Sequence, residues 1–259
     1  MSIKLLDLGV PTISRQGSLA GIVGMCYALI SYTVGAGGLF WLFFASAGFA
    51  PYGLTNQTEY VVTGFLTNMG LVALFALQHT IMARKSFKKW VTQWIPKHLE
   101  RATFVLLSGL AMLTLIICWQ SIPGVVWEIN HEIGRLVLII GSLIGMVYVL
   151  ATSFITGHFE LFGVRQAYFN LIGKEYVPLE FKRKWFYTYS RHPMMLGILF
   201  VLWSTPDMTV TRFTLAVLLT AYLFLGIQFE DKGLVAEFGE HYRQYKKEIG
   251  IFFTLRKKK

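Results

Sequence analysis

The chain has 259 residues and a formal net charge of +10, with 54% hydrophobic and only 15% charged residues. A soluble globular domain carries roughly a quarter charged residues, so this composition excludes an ordinary soluble domain. Long apolar runs in lipid must satisfy their own backbone polar groups, so they are expected to be helices. No basic stretch is interleaved with stacking aromatic residues, so the positive charge indicates membrane-flanking loops and no nucleic acid partner.

Apolar runs predict the membrane spans in chain order. A span needs about 20 apolar residues to cross about 30 Å of hydrocarbon. Four runs meet this requirement clearly, at residues 19–49, 60–82, 102–119 and 136–156. A fifth run, 194–203, is too short to cross alone, and a sixth covers 210–229.

Basic residues mark one side of the bilayer. They lie in the N-terminal tail, the loop after the second run, the segment between the fourth and fifth runs, and the C-terminal tail; of the 24 Lys and Arg residues, only Arg135 and Arg212 lie elsewhere. Basic loops stay in the cytosol, so both termini are predicted to be cytosolic. An even number of crossings follows, and the short fifth run is expected to form a helical hairpin with the sixth.

The C-terminal tail has the periodicity of an amphipathic helix. Leu234, Phe238, Tyr242 and Tyr245 recur at steps of three and four residues, which places them on one helical face. We expect this helix to continue from the sixth run along the cytosolic surface. The predicted fold is an all-α polytopic membrane protein of five to six transmembrane helices, in a single integral membrane domain spanning 1–259.

Four polar groupings are predicted to meet at the cytosolic edge. They are Gln78-His79, His158-Phe159-Glu160, the Tyr-Ser-Arg-His-Pro stretch at 189–193, and Glu230-Asp231 at the end of the sixth run. Ionisable residues at membrane depth are costly and usually functional. Each grouping also has a structural interpretation, such as an interfacial histidine or a helix-starting proline. Two acids at a helix C-terminus oppose the helix dipole, which predicts a compensating cation from protein or ligand.

Other catalytic motifs are not found in the sequence. The six histidines are scattered without the clustered spacing of di-iron enzymes, which predicts no metal site. No phosphate-binding loop is present, and no dinucleotide-binding glycine motif follows a strand.

The C-terminal third resembles the isoprenylcysteine carboxyl methyltransferase superfamily. The matching stretches are Arg-His-Pro-Met-Met-Leu-Gly at 191–197, Glu-Asp-Lys-Gly-Leu at 230–234 and Phe-Gly-Glu-His-Tyr-Arg-Gln-Tyr at 238–245. They follow that family's pattern RHPxYxG, EExxL, FGxxY and a final Tyr. Met195 stands where the pattern has Tyr, and Asp231 stands where it usually has a second Glu.

The upstream part is similar to a narrower group, the bacterial methanethiol S-methyltransferases and their NnrU-like relatives. The similarity lies in residues 78–84, Pro96, Glu100-Arg101, 158–163 and Arg165-Gln166, and it spans most of the chain. It implies S-adenosylmethionine as methyl donor, S-adenosylhomocysteine as its product, and a small thiol as acceptor, with methanethiol giving dimethyl sulfide. It also implies a location in the bacterial cytoplasmic membrane, with the active site facing the cytosol.

The resemblance implies a four-helix N-terminal part at 19–157 and a methyl-donor-binding core at 158–259. Expected donor-binding residues are Tyr189, Arg191, His192, Pro193, Leu196, Gly197, Glu230 and Tyr242. An attacking thiol is helped by a base. His79 is the first candidate for this base and His158 the second, with Gln78 beside His79 and with Glu160 or Arg84 as orienting groups.

Three alternatives stay open at this point. A methyltransferase of the same fold can act on an isoprenylated cysteine carboxylate or on a lipid amine. An NADPH-dependent membrane reductase shares a related C-terminal core, and an NnrU-like protein without catalysis is the third alternative. The sequence leaves the acceptor, the base and the oligomeric state undetermined.

Overall fold

A computed structural model of the chain describes residues 18–49, 54, 56–57, 60–179 and 185–254. The basic residues Lys4, Arg15, 182–184 and 256–259, used above for topology, lie outside the described residues. In the described part the helices are α1 Ser18–Ala47, α2 Val61–Met82, α3 Lys85–Val91, α4 Lys97–Cys118, α5 Glu132–Thr156, α6 His158–Leu161, α7 Val164–Leu171, α8 Pro193–Trp203, α9 Val210–Phe238 and α10 Glu240–Glu248. The strands are β1 Asn56–Gln57, β2 Gln120–Ser121, β3 Val125–Glu128 and β4 Asp207–Thr209.

Five helices, α1, α2, α4, α5 and α9, are long and apolar enough to cross a membrane. Helix α8 is also apolar, but its 11 residues reach only about 16 Å at 1.5 Å per residue. That length is about half of the hydrocarbon core. The prediction of an all-α polytopic membrane protein is confirmed, with five long helices and one short one.

The bundle has two distinct ends. At the strand end, β1 pairs parallel with β2 and β3 pairs antiparallel with β4, which joins the connections between the long helices. At the other end, here called the tail end, lie α3, α6, α7 and α10. Between Arg191 and Asp207 the chain passes from the tail end to the strand end through α8. Helix α8 and the five long helices together therefore make an even number of passes between the two ends.

Helix α8 lies between α5 and α9. Against α9, the Trp203 indole N–H donates to Thr220 Oγ1 at 3.0 Å, as expected for a hairpin. Against α5, a Cβ on Gly145 would fall 2.8 Å from the Gly197 carbonyl oxygen, so only glycines allow this approach. Small residues at such contacts let membrane helices pack closely. Gly197, predicted as a donor-binding residue, therefore packs in this structure against α5.

The helix of the sixth run continues past that run as expected, but only to Phe238. Glu230 and Asp231 therefore lie inside α9, and the prediction that they stand at a helix C-terminus is wrong. Gly239, at φ 58°, then breaks the helix. Helix α10 folds back, so Tyr242 and Tyr245 pack in one cluster with Leu234 and Phe238. The four apolar residues do share one contact surface, but two helices form it.

Candidate active site

Asp231 is the centre of a buried polar cluster at the tail end. Arg191 Nη1 donates to its Oδ2 at 2.5 Å, and Lys246 Nζ lies 3.0 Å from the same oxygen. The Tyr242 hydroxyl donates to Oδ1 at 2.7 Å, and His192 Nε2 lies 3.2 Å from it. The side chains of Arg191 and Asp231 are only 7% and 8% exposed. Burying a charge is costly unless it is paired and hydrogen-bonded, which explains why four groups surround this carboxylate.

The predicted compensating cation is therefore present in the protein. Arg191 and Lys246 both neutralise Asp231, although the reason is burial and not a helix terminus. Sequence reasoning did not single out Lys246, which α10 brings back towards α9. Burial and the hydrogen bond to Asp231 raise the pKa of Tyr242, so its hydroxyl remains a donor over the physiological range.

The chain after α10 holds the entrance to α8. The backbone N–H of Arg191 donates to the Gly250 carbonyl at 3.1 Å, and that of His192 donates to the Ile251 carbonyl at 3.1 Å. The Ser190 hydroxyl also donates to the Ile251 carbonyl. Pro193 then occupies the first turn of α8, where its missing N–H costs nothing. This clamp positions Arg191 and His192 beside Asp231.

Two groups in this cluster have unused bonding capacity. Glu230 Oε2 lies 3.4 Å from His192 Nδ1, and its side chain is 48% exposed. Arg191 Nε is buried and has no hydrogen-bond partner among the described residues. A buried donor without a partner costs free energy, so a bound anionic group would satisfy it. Tyr189 is 63% exposed at the same end, whereas Leu196 is buried inside α8.

His79, on α2, lies deeper in the bundle and faces α4 and α9. Its Nδ1 is 3.0 Å from the Tyr222 hydroxyl, which is in turn 3.3 Å from Thr80 Oγ1. Its ring packs against Phe104 and Phe75, with centroids 4.9 and 5.6 Å away. No group among the described residues bonds to Nε2. If Tyr222 donates to Thr80 and accepts from Nδ1–H, then Nε2 carries a free lone pair.

Gln78, next to His79, points into the α2–α4 contact. Its side-chain nitrogen donates to Ser108 Oγ at 3.3 Å and lies 3.0 Å from Met82 Sδ. Its Oε1 is buried with no partner in the described part of the chain. Gln78 thus lies beside the embedded histidine, while its bonds run towards α4.

His158 has both ring nitrogens engaged. Ser153 Oγ donates its single proton to the Leu150 carbonyl, so at 2.8 Å it must accept from His158 Nδ1–H. His158 Nε2 then accepts from the Tyr32 hydroxyl at 3.0 Å. Burial lowers the pKa of His158, in agreement with a neutral ring. The hydrogen bonds therefore leave no lone pair free for a substrate.

The structure divides the predicted groupings into three clusters. Glu230 and His192 form one cluster. His79 pairs with Tyr222, which precedes Glu230 by eight residues on α9, so Tyr222 and Glu230 are about 12 Å apart along the helix axis. His158 pairs with Tyr32 on α1. The expectation that Glu160 or Arg84 orients a histidine is wrong. Glu160 binds Arg165 and the Leu179 N–H, and Arg84 lies over the Phe229 ring.

Sequence reasoning missed several partners of these residues. The sequence indicates Asp231 only as one of a pair of acids and as a departure from the family's second Glu, but not that it organises the buried cluster. Tyr222 lies in an apolar run, where its hydroxyl needs a hydrogen-bond partner. This tyrosine is the feature of the sequence that could have indicated a buried polar contact on α9. Among the described residues no group of three or more His, Cys, Asp or Glu side chains is placed to hold a metal ion.

Known proteins of similar sequence share most of this chain. A methanethiol S-methyltransferase of Crocosphaera subtropica is 41% identical over 212 residues, covering 82% of this chain and 83% of its own length. The protein of that name from Mycobacterium tuberculosis is 39% identical, covering 72% and 76%. Nurim of Bos taurus is 28% identical, covering 65% and 67%. No protein-family model and no solved structure matches the chain. With 41% identity over 82% of its length to one such protein, the chain belongs to the methanethiol S-methyltransferase family.

Proposed function

We propose that this protein transfers a methyl group from S-adenosylmethionine to methanethiol, giving dimethyl sulfide and S-adenosylhomocysteine. The observation that carries the proposal is the 41% identity, over 82% of the chain, to a protein named for this reaction. The two polar clusters on α9 support it independently. One offers charged groups for a soluble donor, and the other offers an uncharged, aromatic-lined site for a small thiol.

The tail-end cluster fits the donor. A carboxylate, as in the methionine part of S-adenosylmethionine, would satisfy the buried Arg191 Nε, which has no partner among the described residues. The exposed carboxylate of Glu230 can accept from an amine or a ribose hydroxyl. Tyr189 offers an exposed ring for the adenine. Asp231 holds Arg191 in place and is itself fully engaged, so we assign it a positioning role.

The acceptor site lies at His79. A thiol becomes a strong nucleophile when it is deprotonated, and the ring nitrogen that takes the proton needs a free lone pair. His79 Nε2 can offer one, whereas both nitrogens of His158 are engaged. We therefore assign His79 as the base, whereas His158 holds α1 against the end of α5.

The bound donor supplies an electrophilic methyl group on a sulfonium sulfur. The protein's contribution is alignment of the thiol sulfur with that methyl group, together with removal of the thiol proton by His79. Positioning of two reactants can lower the barrier by several kcal/mol, up to about 7–11, and general base catalysis contributes roughly 100- to 10,000-fold.

We also propose that the tail end faces the cytosol of a bacterial cell, with the protein in the cytoplasmic membrane. The support is the concentration of Arg84, Lys85, Lys88 and Lys89 in and before α3 at this end. Since S-adenosylmethionine is water-soluble and cytosolic, the donor cluster must open to that side. A fluorescent protein fused to the C-terminus should fluoresce, and a periplasmic reporter there should be inactive.

The activity can be tested with purified protein in detergent. Incubation with S-adenosylmethionine and methanethiol should release dimethyl sulfide, measured by gas chromatography. The His192→Ala variant is the control, since it removes a ligand of the donor cluster. A parallel reaction with an isoprenylated cysteine tests the main rival acceptor. Product formation no faster than the His192→Ala control, or faster turnover of the isoprenylated cysteine, would overturn the proposal.

A further inference from the structure

Gly226 on α9 has no side chain and lies, along the helix, between the residues of the two clusters. It lies four residues, about one helical turn, from both Tyr222 and Glu230. A Cβ built on Gly226 meets no heavy atom within 4 Å. Gly37, Gly70, Gly173 and Gly233 also have open space around them, but they are exposed, whereas Gly226 is half-buried. Gly239 is half-buried with open space as well, but it lies at the break between α9 and α10. Among the described residues Gly226 is thus the half-buried glycine within a helix that has open space beside it.

The direction of this space follows from the helix geometry. Buried Leu219, Leu223 and Ile227 mark the face of α9 that points into the bundle. At about 100° per residue, Glu230, Gly226 and Tyr222 lie at roughly 20°, 60° and 100° from Leu223, all on the same side. Gly226 thus points between Glu230 and Tyr222, at the edge of the inward face.

This space is within reach of both clusters. Gly226 is about 6 Å along the axis from Tyr222, which bonds His79, and about 6 Å from Glu230, which approaches His192. A molecule of two or three heavy atoms in front of Gly226 would lie between Tyr222 and Glu230 along α9. A larger side chain at position 226 would occupy the same volume.

We propose that the acceptor thiol binds in front of Gly226, and that the missing side chain there limits the acceptor to a small thiol. This inference rests on the proposed methylation of methanethiol. In the step, the thiol proton passes to His79 Nε2. The sulfur's electron pair forms a bond to the donor methyl carbon while the old carbon–sulfur bond breaks, its electron pair remaining on the donor sulfur. Dimethyl sulfide and S-adenosylhomocysteine leave, and His79 later releases its proton to water.

The test is a size series at position 226. Gly226→Ala, Gly226→Val and Gly226→Leu are compared with Gly37→Leu, which adds the same side chain to an exposed glycine with equal open space. The KM for methanethiol should rise with side-chain size, by at least about 10-fold for Val, because each methylene in a small site matters by roughly 10- to 200-fold. The Kd for S-adenosylmethionine, from calorimetry, should change less than about 2-fold.

Several outcomes would contradict the inference. Normal KM and kcat in Gly226→Leu would overturn it, as would donor affinity that falls in step with turnover. If the larger variants do not fold, Gly226→Ala decides, since it should lose more activity with ethanethiol than with methanethiol; an equal loss overturns the pocket. If neither the unsubstituted protein nor Gly37→Leu forms product, the proposed function is overturned. If both of them and also Gly226→Leu form product at equal rates, only the inferred acceptor pocket is overturned.

Discussion

The two ends of the bundle each contain an arginine–aspartate pair, and the two pairs differ in burial. At the tail end, Arg191 and Asp231 are 7% and 8% exposed, and three further polar groups surround the carboxylate. At the strand end, Arg135 and Asp207 form a two-pronged pair at 2.7 and 2.8 Å, but they are 36% and 40% exposed. The hydrogen bond from Arg135 lowers the pKa of Asp207.

This difference in burial distinguishes an exposed structural ion pair at the strand end from the candidate functional site at the tail end. The strand-end pair joins α5 to the turn between α8 and α9, where solvent already compensates each charge, so its loss should matter little. The tail-end pair is out of water, so removing one member leaves buried charge behind. Substitutions at the two ends of the bundle test this contrast in burial.

Asp231→Asn should have the largest effect. It leaves Arg191 buried without its counter-charge, so we expect a loss of roughly 3–5 kcal/mol in unfolding free energy and loss of donor binding. Thermal unfolding in detergent and calorimetry with S-adenosylmethionine measure the two effects. Glu230→Gln is the matched control on the same helix; it should retain stability, because Glu230 is half exposed. Equal destabilisation by both variants would contradict the contrast.

His79→Gln should lower kcat by about 100-fold or more, the lower part of the range for a general base. The donor Kd should stay within about 2-fold, because Tyr222, the partner of His79, is about 12 Å along α9 from Glu230 of the donor cluster. His158→Gln is the comparison variant and should retain most of its turnover. A lost donor affinity in His79→Gln would show that the assignment of the base is wrong.

Tyr222→Phe should have a smaller effect on turnover, roughly 3- to 10-fold in kcat, as expected for one hydrogen bond. Without the hydroxyl, the ring of His79 loses the contact that selects its tautomer. The pH dependence of kcat should therefore shift as well, which a purely structural role would not produce. Unchanged kcat and pH profile would remove Tyr222 from the mechanism.

His158 should affect stability through pH. Burial lowers its pKa below the ordinary 6.5, so the folded state favours the neutral ring. The stability that neutral His158 contributes is present above about pH 6.5 and is lost as the pH falls below that value. The Tm of the unsubstituted protein should therefore fall more between pH 7 and pH 5 than the Tm of His158→Gln. Parallel pH curves would contradict this account.

Asp207→Asn at the strand end should have the smallest effect. The pair with Arg135 is open to water, so we expect Tm and kcat to stay within the error of measurement. A loss of Tm as large as that of Asp231→Asn would remove the distinction between the two ends.

Local patterns were sufficient to predict the spans. Apolar runs gave α1, α2, α4, α5 and α9, because every backbone group in lipid must bond within its own segment. They also showed that α8 is too short to cross alone. The apolar spacing did not predict the helix break at Gly239. Leu234, Phe238, Tyr242 and Tyr245 have the same spacing whether one helix continues or a second helix folds back against the first.

The site was only partly predictable, for a different reason. The motifs located Arg191, His192 and Glu230, but not the central role of Asp231, nor the contrast between His79 and His158. Those properties depend on contacts between residues far apart in the chain, such as Arg191 with Asp231, 40 positions apart, and His79 with Tyr222, 143 positions apart. The rotation and register of packed helices determine these contacts. Hydrophobicity along the chain therefore determined which segments are long enough to cross the membrane, whereas tertiary packing alone decided which of its polar groups are engaged and which remain free.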